Sequence, residues 1–277
     1  MNNELTIAFI GGGNMASALA SGLIGKRCGA HDVHVLDIDA AVLASWRQKG
    51  TSVATTPDVR LSACRVWILA VKPQFLKEAV KNCQPFLQAD TLVISVAAGI
   101  PAGTLSEWLG NGTHPWTRLI RGMPNTPALV GSGATGLMAM DGATDQDKTI
   151  AQQIFAAVGT YVWVNNDREL DIVTALSGSG PAYVFLFLEA LIEGAVSQGL
   201  SPEQARTLAI ATLDGANQLA ALSPQPLAAL REQVTSKGGT TAAALQVFQE
   251  HGFTDIVHQA MLAAARRAEA LAQEFSQ

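Results

Sequence analysis

The chain has 277 residues, more than the roughly 100 to 200 of one typical domain, so two domains with sizeable cores are expected. Hydrophobic residues make up 48% and charged residues 15%, with a formal net charge of -5, which excludes the basic character that holds nucleic acid or anionic membrane and leaves a small soluble ligand as the expected partner. The three cysteines, Cys28, Cys64 and Cys83, form no CxxC pair, so neither a zinc site nor a disulfide framework is indicated and free thiols in a reducing cytosol are expected.

From Met1 the chain runs through a few polar residues into a short apolar stretch and at once into glycines, which is not the pattern of a signal or transit peptide, and a cytoplasmic location is expected. Strand-length runs of β-branched and aliphatic residues follow at Thr6 to Ile10, His34 to Asp37, Val66 to Val71 and Leu92 to Val96, with an amphipathic segment, Met15 to Ile24, between the first two. Strands alternating with helices predict right-handed βαβ crossovers and a mainly parallel sheet, an α/β Rossmann-type domain over residues 1–164. Near Asn165, Asn166 and Asp167 the strand signals stop. Alanine- and leucine-rich segments then run from Pro181 to Gln198, Pro202 to Leu222, Thr241 to Glu250 and Thr254 to Phe275, which predicts an all-α C-terminal domain over residues 165–277.

Within that half, Ile172 to Leu188 is apolar and uncharged enough to raise the question of a membrane, but the Ser177-Gly178-Ser179-Gly180-Pro181 interruption is expected to leave too short a helix to cross hydrocarbon, so no membrane is expected and burial in protein is. The helix from Pro181 carries Tyr183, Val184, Phe185, Leu186, Leu191 and Ile192 around its circumference, with Glu189 and Glu193 as its charges. A helix apolar on all sides needs cover on all sides. A helical half of this size can hardly bury it alone, so a homodimer or an assembly of dimers is expected, the alternative being a well-covered central helix in a monomer.

The run Ile7-Ala8-Phe9-Ile10-Gly11-Gly12-Gly13-Asn14-Met15-Ala16 reads as strand, GxGxxA turn and helix. Gly11 permits the tight turn, Gly13 lets backbone approach a pyrophosphate, and Ala16 allows close packing of helix on strand, with the phosphate at the helix start beside Asn14 and Met15. Asp37 closes the second strand, where an acid accepts from an adenosine ribose hydroxyl. A bound dinucleotide is therefore expected.

Three further segments make the chain resemble the pyrroline-5-carboxylate reductases: Ala70-Val71-Lys72-Pro73-Gln74, Met123-Pro124-Asn125-Thr126-Pro127, and the pair Leu176 to Tyr183 with Val234-Thr235-Ser236-Lys237-Gly238-Gly239-Thr240-Thr241. With the glycine turn they cover nearly the whole length. The chain departs from the family's pattern at Lys237, where many members have proline, and at Ser223-Pro224-Gln225-Pro226, where members often carry an acid and a His-Pro pair. The resemblance implies hydride transfer from NAD(P)H to the C=N bond of 1-pyrroline-5-carboxylate, giving L-proline, the last step of proline biosynthesis. It also implies that Ala70, Val71, Lys72, Pro73, Ala98, Gly99, Met123 and Asn125 join Gly11, Gly13, Asn14, Met15 and Asp37 around the cofactor. Family habit is NADPH, whereas Asp37 favours NADH.

A cyclic imine is basic enough to arrive protonated, so the reaction asks for orientation of the ring rather than a strong acid. The histidines, His31, His34, His114, His251 and His258, fall in none of the ligand motifs; no Ser-His-Asp or HExxH pattern is present, and no metal is expected. The substrate carboxylate needs an anion site. Thr240 is the expected N-cap of a helix running into Ala242 to Val247, and the residue three after it is Ala243, so no capping-box acid takes the free N–H groups and a ligand carboxylate can; the alternative is a simple Thr cap. By resemblance, Ser236, Gly238, Gly239, Thr240 and Thr241 bind substrate, Thr241 donates toward the ring nitrogen, and Thr174 lies nearby at the domain junction. Two rival readings stay open: a β-hydroxyacid-dehydrogenase-like oxidoreductase, for which Lys237 is the one lysine of the helical half, and a non-catalytic dinucleotide-sensing paralogue, which would keep the glycine turn and lose the substrate loop.

Overall fold

A parallel sheet, its strands apolar on both faces, organises the first half of this computed structural model, which describes residues 5–275. In chain order the elements are β1 (Ile7–Ile10), α1 (Asn14–Leu23), β2 (Val33–Leu36), α2 (Ala40–Gln48), β3 (Ser52–Ala54), α3 (Arg60–Ala63), β4 (Val66–Leu69), α4 (Pro73–Cys83), β5 (Leu92–Ser95), α5 (Ala102–Leu109), β6 (Leu119–Met123), β7 (Gly133–Ala139), α6 (Asp145–Ala156) and β8 (Gly159–Trp163). Helices α7 (Asp167–Val173), α8 (Gly180–Ser197), α9 (Pro202–Leu222), α10 (Leu227–Gln233), α11 (Thr240–Glu250) and α12 (Phe253–Phe275) follow. The sheet order is β3-β2-β1-β4-β5-β6-β7-β8, parallel throughout except between β6 and β7. The expected mainly parallel sheet is therefore present, with β3, β6, β7 and β8 added to the four strands legible in the sequence.

Alternate residues explain the continuous apolar runs. Ile7, Phe9, Val33, Val35, Val66 and Ile68 pack with α1, α2 and α6, while Ala8, Ile10, Trp67, Leu69 and Val93 pack with α4, α5 and α7. Strands covered by helices on both faces read as near-continuous apolar runs rather than as an alternation. Each fully buried Leu or Ile contributes about 1.5–3 kcal/mol.

Two ion pairs fasten helices to this frame. The Arg118 guanidinium donates twice to Asp147, at 2.8 Å each, and Asp147 also closes the capping box of α6 with Thr144. Arg121, buried on β6, donates to Asp167 at 2.5 Å, and Asp167 accepts from Ala102 N at 3.2 Å. Burial raises the Asp171 carboxyl above its usual range, with the nearby Asp167 and Glu269 acting in the same direction against Arg121.

Packing divides the chain into residues 1–179 with 263–277, and residues 180–262. The strand pattern ends with β8 at Trp163, close to the expected 164/165 change, but α7 packs on β7 and is tied through Asp167, so the first unit continues to Ser179. The last part of α12 belongs to the first unit. In the second unit α8 and α9 pack together, and Phe253 meets Phe187 and Phe248 with ring centroids 6.4 and 5.3 Å apart.

The Ser177-Gly178-Ser179-Gly180-Pro181 segment does not interrupt the helix, contrary to expectation. Residues 174–178 form a π-helical turn that carries α7 into α8, giving one helical run, Asp167–Ser197. The wider turn relieves the main chain ahead of Pro181, which lacks an N–H to give. This run is long and apolar enough to cross a membrane by length and composition, and only 6% of its most apolar window is buried within the chain. The expected cover is thus not supplied by this chain: Phe185 and Leu186 are 60% and 67% exposed.

Candidate active site

The glycine turn follows from close backbone packing at the carboxyl ends of β1 and β4. Ala70 N donates to Ile10 O at 2.8 Å, and a Cβ on Gly11 would come within 2.7 Å of the Ala70 carbonyl; Gly11 also has φ +96°, so only glycine fits. Gly12 is held from two sides: its N–H donates to Asp37 Oδ2 at 2.7 Å, and its carbonyl accepts from the buried Trp46 indole at 2.8 Å. Gly13 caps α1 without any side-chain bond, nothing lies within 4 Å of where its Cβ would be, and no acid stands in the first turn. The amide groups beside Asn14 and Met15 thus start a helix with no side chain filling them. Such an open, positively polarised start suits a pyrophosphate.

The other expected cofactor residues lie along the same sheet edge. Lys72 is exposed as the N-cap of α4, Pro73 occupies the first turn, and Val71 N is 2.8 Å from the Cβ position of Gly11. Ala98 and Gly99 follow β5, and Met123 ends β6. The Asn125 amide is engaged within the protein, donating to Ser177 O at 2.9 Å and accepting from Ala134 N at 2.8 Å, so it braces the loop against β7 and the π turn.

A cavity of about 180 Å³ in the first unit brings Ala98, Gly99 and Thr174 together with Ser179 and with Arg267 and Leu271 of α12. Thr174 Oγ1 donates to Leu170 O at 2.9 Å, which leaves its lone pairs rather than its proton for the cavity. Ser179 belongs to the Leu176 to Tyr183 stretch singled out by resemblance, whereas Arg267 was not expected from the sequence. A second cavity, about 240 Å³, lies at the amino ends of the strands around Thr6, His34, Ser52, Arg60 and Cys64, opposite the glycine turn. There burial lowers the His34 pKa and pushes the Cys64 thiol up to about 11. Among the described residues no group of three or more His, Cys, Asp or Glu side chains gathers as metal ligands would.

The expected substrate residues lie in the second unit. Gly239 N donates to Ser236 O at 3.0 Å, closing a turn in which Gly238 has φ +72° and Lys237 is exposed. Gly239, not Thr240, is the N-cap of α11, so Thr240 and Thr241 form its first turn. The correction is by one residue and has a physical consequence: glycine offers no side-chain acceptor, and the first turn holds no acid. The departure at Ser223 to Pro226 makes a turn between α9 and α10, with Gln225 N donating to Ser223 Oγ at 3.1 Å.

A sheet in the order 3-2-1-4-5-6, a glycine turn opening a helix with free amides, and an acid at the end of β2 define a dinucleotide-binding protein of the Rossmann type. Residues 6–99 match the NADP oxidoreductases of the coenzyme F420-dependent type, and residues 167–271 match the pyrroline-5-carboxylate reductase dimerisation family. The chain is 39% identical to the pyrroline-5-carboxylate reductase of Pseudomonas aeruginosa over 272 residues, which is 98% of each chain. It superposes on the Coxiella burnetii enzyme with a TM-score of 0.88 at 36% identity, covering 97% of this chain and 99% of that one. On the Plasmodium falciparum enzyme, which has NADP bound, the TM-score is 0.85 at 29% identity, covering 98% and 99%. The chain belongs to the pyrroline-5-carboxylate reductase family.

Proposed function

We propose that this chain reduces the C=N bond of 1-pyrroline-5-carboxylate with NAD(P)H, giving L-proline in the last step of proline biosynthesis. The observation that carries the reading is kinship along the whole chain, 39% identity covering 98% of both partners, with the Ser236 to Thr241 loop intact. That loop argues against a sensing paralogue.

The glycine turn fits a dinucleotide, since the exposed Gly13 and the uncapped start of α1 offer amide donors without an obstructing side chain. When bound, the dinucleotide supplies the hydride, and the protein supplies binding and orientation. Gly11, Gly13, Asn14 and Met15 hold the pyrophosphate, Asp37 the adenosine ribose, and Ala70 to Pro73, Ala98, Gly99, Met123 and Asn125 shape the rest of the cleft edge. Gly238, Gly239 and Thr240 receive the substrate carboxylate at the start of α11, with Ser236 closing the turn, and the Thr241 hydroxyl donates to the ring nitrogen as hydride addition turns the protonated imine, which has no lone pair there, into an amine that does. Thr174 contributes as an acceptor, because its proton is committed to Leu170 O.

Asp37 favours NADH over NADPH, in contrast to the NADP-bound Plasmodium falciparum relative. The exposed apolar surface of α8, together with the match to a dimerisation family, supports a homodimer or an assembly of dimers. Three free, buried cysteines suit the reducing cytoplasm. The test is an absorbance assay of the purified protein with pyrroline-5-carboxylate, run in parallel with NADH and NADPH. No oxidation of either cofactor would overturn the reading, and an efficiency at least about tenfold higher with NADPH would overturn the preference.

A further inference from the structure

Both oxygens of Asp37 are held by main-chain amides. Gly12 N donates to Oδ2 at 2.7 Å and Asp39 N donates to Oδ1 at 2.9 Å. A carboxylate has about four acceptor positions, so Asp37 retains capacity for a ribose hydroxyl, but it also ties the glycine turn to the end of β2. Asp39, two residues on, is the N-cap of α2: its Oδ1 accepts from Ala41 N at 2.8 Å and from Val42 N at 3.4 Å. Those are the donors that an uncapped helix start would offer to a phosphate. The first cation after Asp37 is Arg47, in the last turn of α2, and Lys49 beyond it lies over the Trp46 ring, 4.6 Å from its centroid. The segment from Asp37 to Trp46 therefore carries two carboxylates and no cation.

We propose that Asp39 is a second specificity-determining residue of the dinucleotide site, whose carboxylate, capping α2 beside Asp37, repels a 2′-phosphate and selects the unphosphorylated adenosine ribose. The inference rests on the dinucleotide reading above. Discrimination here works by repulsion: a 2′-phosphate arriving at the end of β2 meets two like charges and finds the amides of Ala41 and Val42 already taken. The two acids differ in what else they do. Replacing Asp37 releases the Gly12 amide and disturbs the turn, whereas Asp39→Asn removes only charge, because asparagine caps a helix as well as aspartate does.

The test uses ADP-ribose and 2′-phospho-ADP-ribose, which lack nicotinamide, titrated calorimetrically into the full-length protein and into Asp39→Asn, with Asp39→Ser as a second capping variant. The parent should prefer ADP-ribose by about tenfold or more. Asp39→Asn should narrow that ratio by at least about threefold through tighter binding of the phosphorylated fragment, and the parental ratio should shrink as salt rises. Melting temperatures close to the parent's would separate loss of charge from loss of the cap. Equal binding of the two fragments by the parent, or an unchanged ratio in both variants, would overturn the role of Asp39 while leaving the dinucleotide reading in place. Failure of the parent to bind either fragment would overturn that reading and this proposal together.

Discussion

Trp46, fully buried on α2, donates its indole N–H to the carbonyl of Gly12 at 2.8 Å and so fixes the glycine turn from the side opposite Asp37. Its ring also packs against Phe9 of β1, tilted at 33° with centroids 5.6 Å apart, joining the turn to the strand that leads into it. Trp46→Phe keeps most of the apolar burial and leaves the Gly12 carbonyl unpaired, a loss of about 1–3 kcal/mol. The expected result is a lower melting temperature and weaker dinucleotide binding with the Michaelis constant for the imine unchanged. Fluorescence quenching of the remaining tryptophans by NADH measures the first, and steady-state kinetics the second.

The Arg118 and Asp147 pair sets a stability that depends on acid. Burial would raise the Asp147 carboxyl, but the bonds from Arg118 and Thr144 outweigh it and hold the pKa below the ordinary carboxylate range. A group whose folded pKa is depressed contributes above its unfolded pKa, and the contribution is lost as pH falls through the folded value. Asp147→Ala should therefore cost about 3 kcal/mol near pH 7, since it also leaves Arg118 without its partner and α6 without its capping box. In melts from pH 7 down to pH 3 the parent should lose more stability than the variant. Parallel curves would show that the pair contributes nothing.

The glycine turn was legible because its geometry forces its residue types: no other residue fits at Gly11. The long helices were legible from their length and composition. β3 was not, being three residues long; β6 and β7 were hidden by the buried Arg121 and by Gly122, Gly133 and Gly136, which break an apolar run, and β8 opens on Gly159 and Thr160 and is only partly buried. Ser177 to Pro181 looked like a helix breaker because a π turn is a response of the backbone to its surroundings rather than a pattern of residues. Asp39 was not singled out, because its role as the cap of α2 and the bond from its N–H to Asp37 are set by the fold. Arg267 of α12 reaches the cavity near Thr174 from far along the chain, a pairing that no local spacing announces.

The exposed apolar surface of α8 predicts assembly. Leu186 is 67% exposed and Phe185 60%, more than a lone soluble helix tolerates beside Val184 and Tyr183. Leu186→Glu places a charge on that surface and should lower the mass seen by light scattering to that of one chain at micromolar concentration. A parental mass that already equals one chain, with full activity, would sink the dimer.

The start of α11 predicts a separation between the two ligands. Gly238 to Thr241 lies in the second unit, while the glycine turn, Asp37 and the loop after β4 lie in the first, so changes in one should leave the other's binding within a few-fold. Thr241→Ala removes one hydroxyl expected to strengthen its contact with the ring nitrogen as charge redistributes, and comparable donors contribute on the order of 3 kcal/mol at most, so turnover should fall by up to about a hundredfold. Gly239→Val acts differently. Its Cβ would meet Ser236 Oγ and crowd the uncapped amides of α11, which should raise the Michaelis constant for pyrroline-5-carboxylate more than it lowers turnover. Both variants should bind NADH like the parent in a fluorescence titration. Parental kinetics in both, or loss of NADH affinity in both with the fold intact by circular dichroism, would move the substrate site away from this loop.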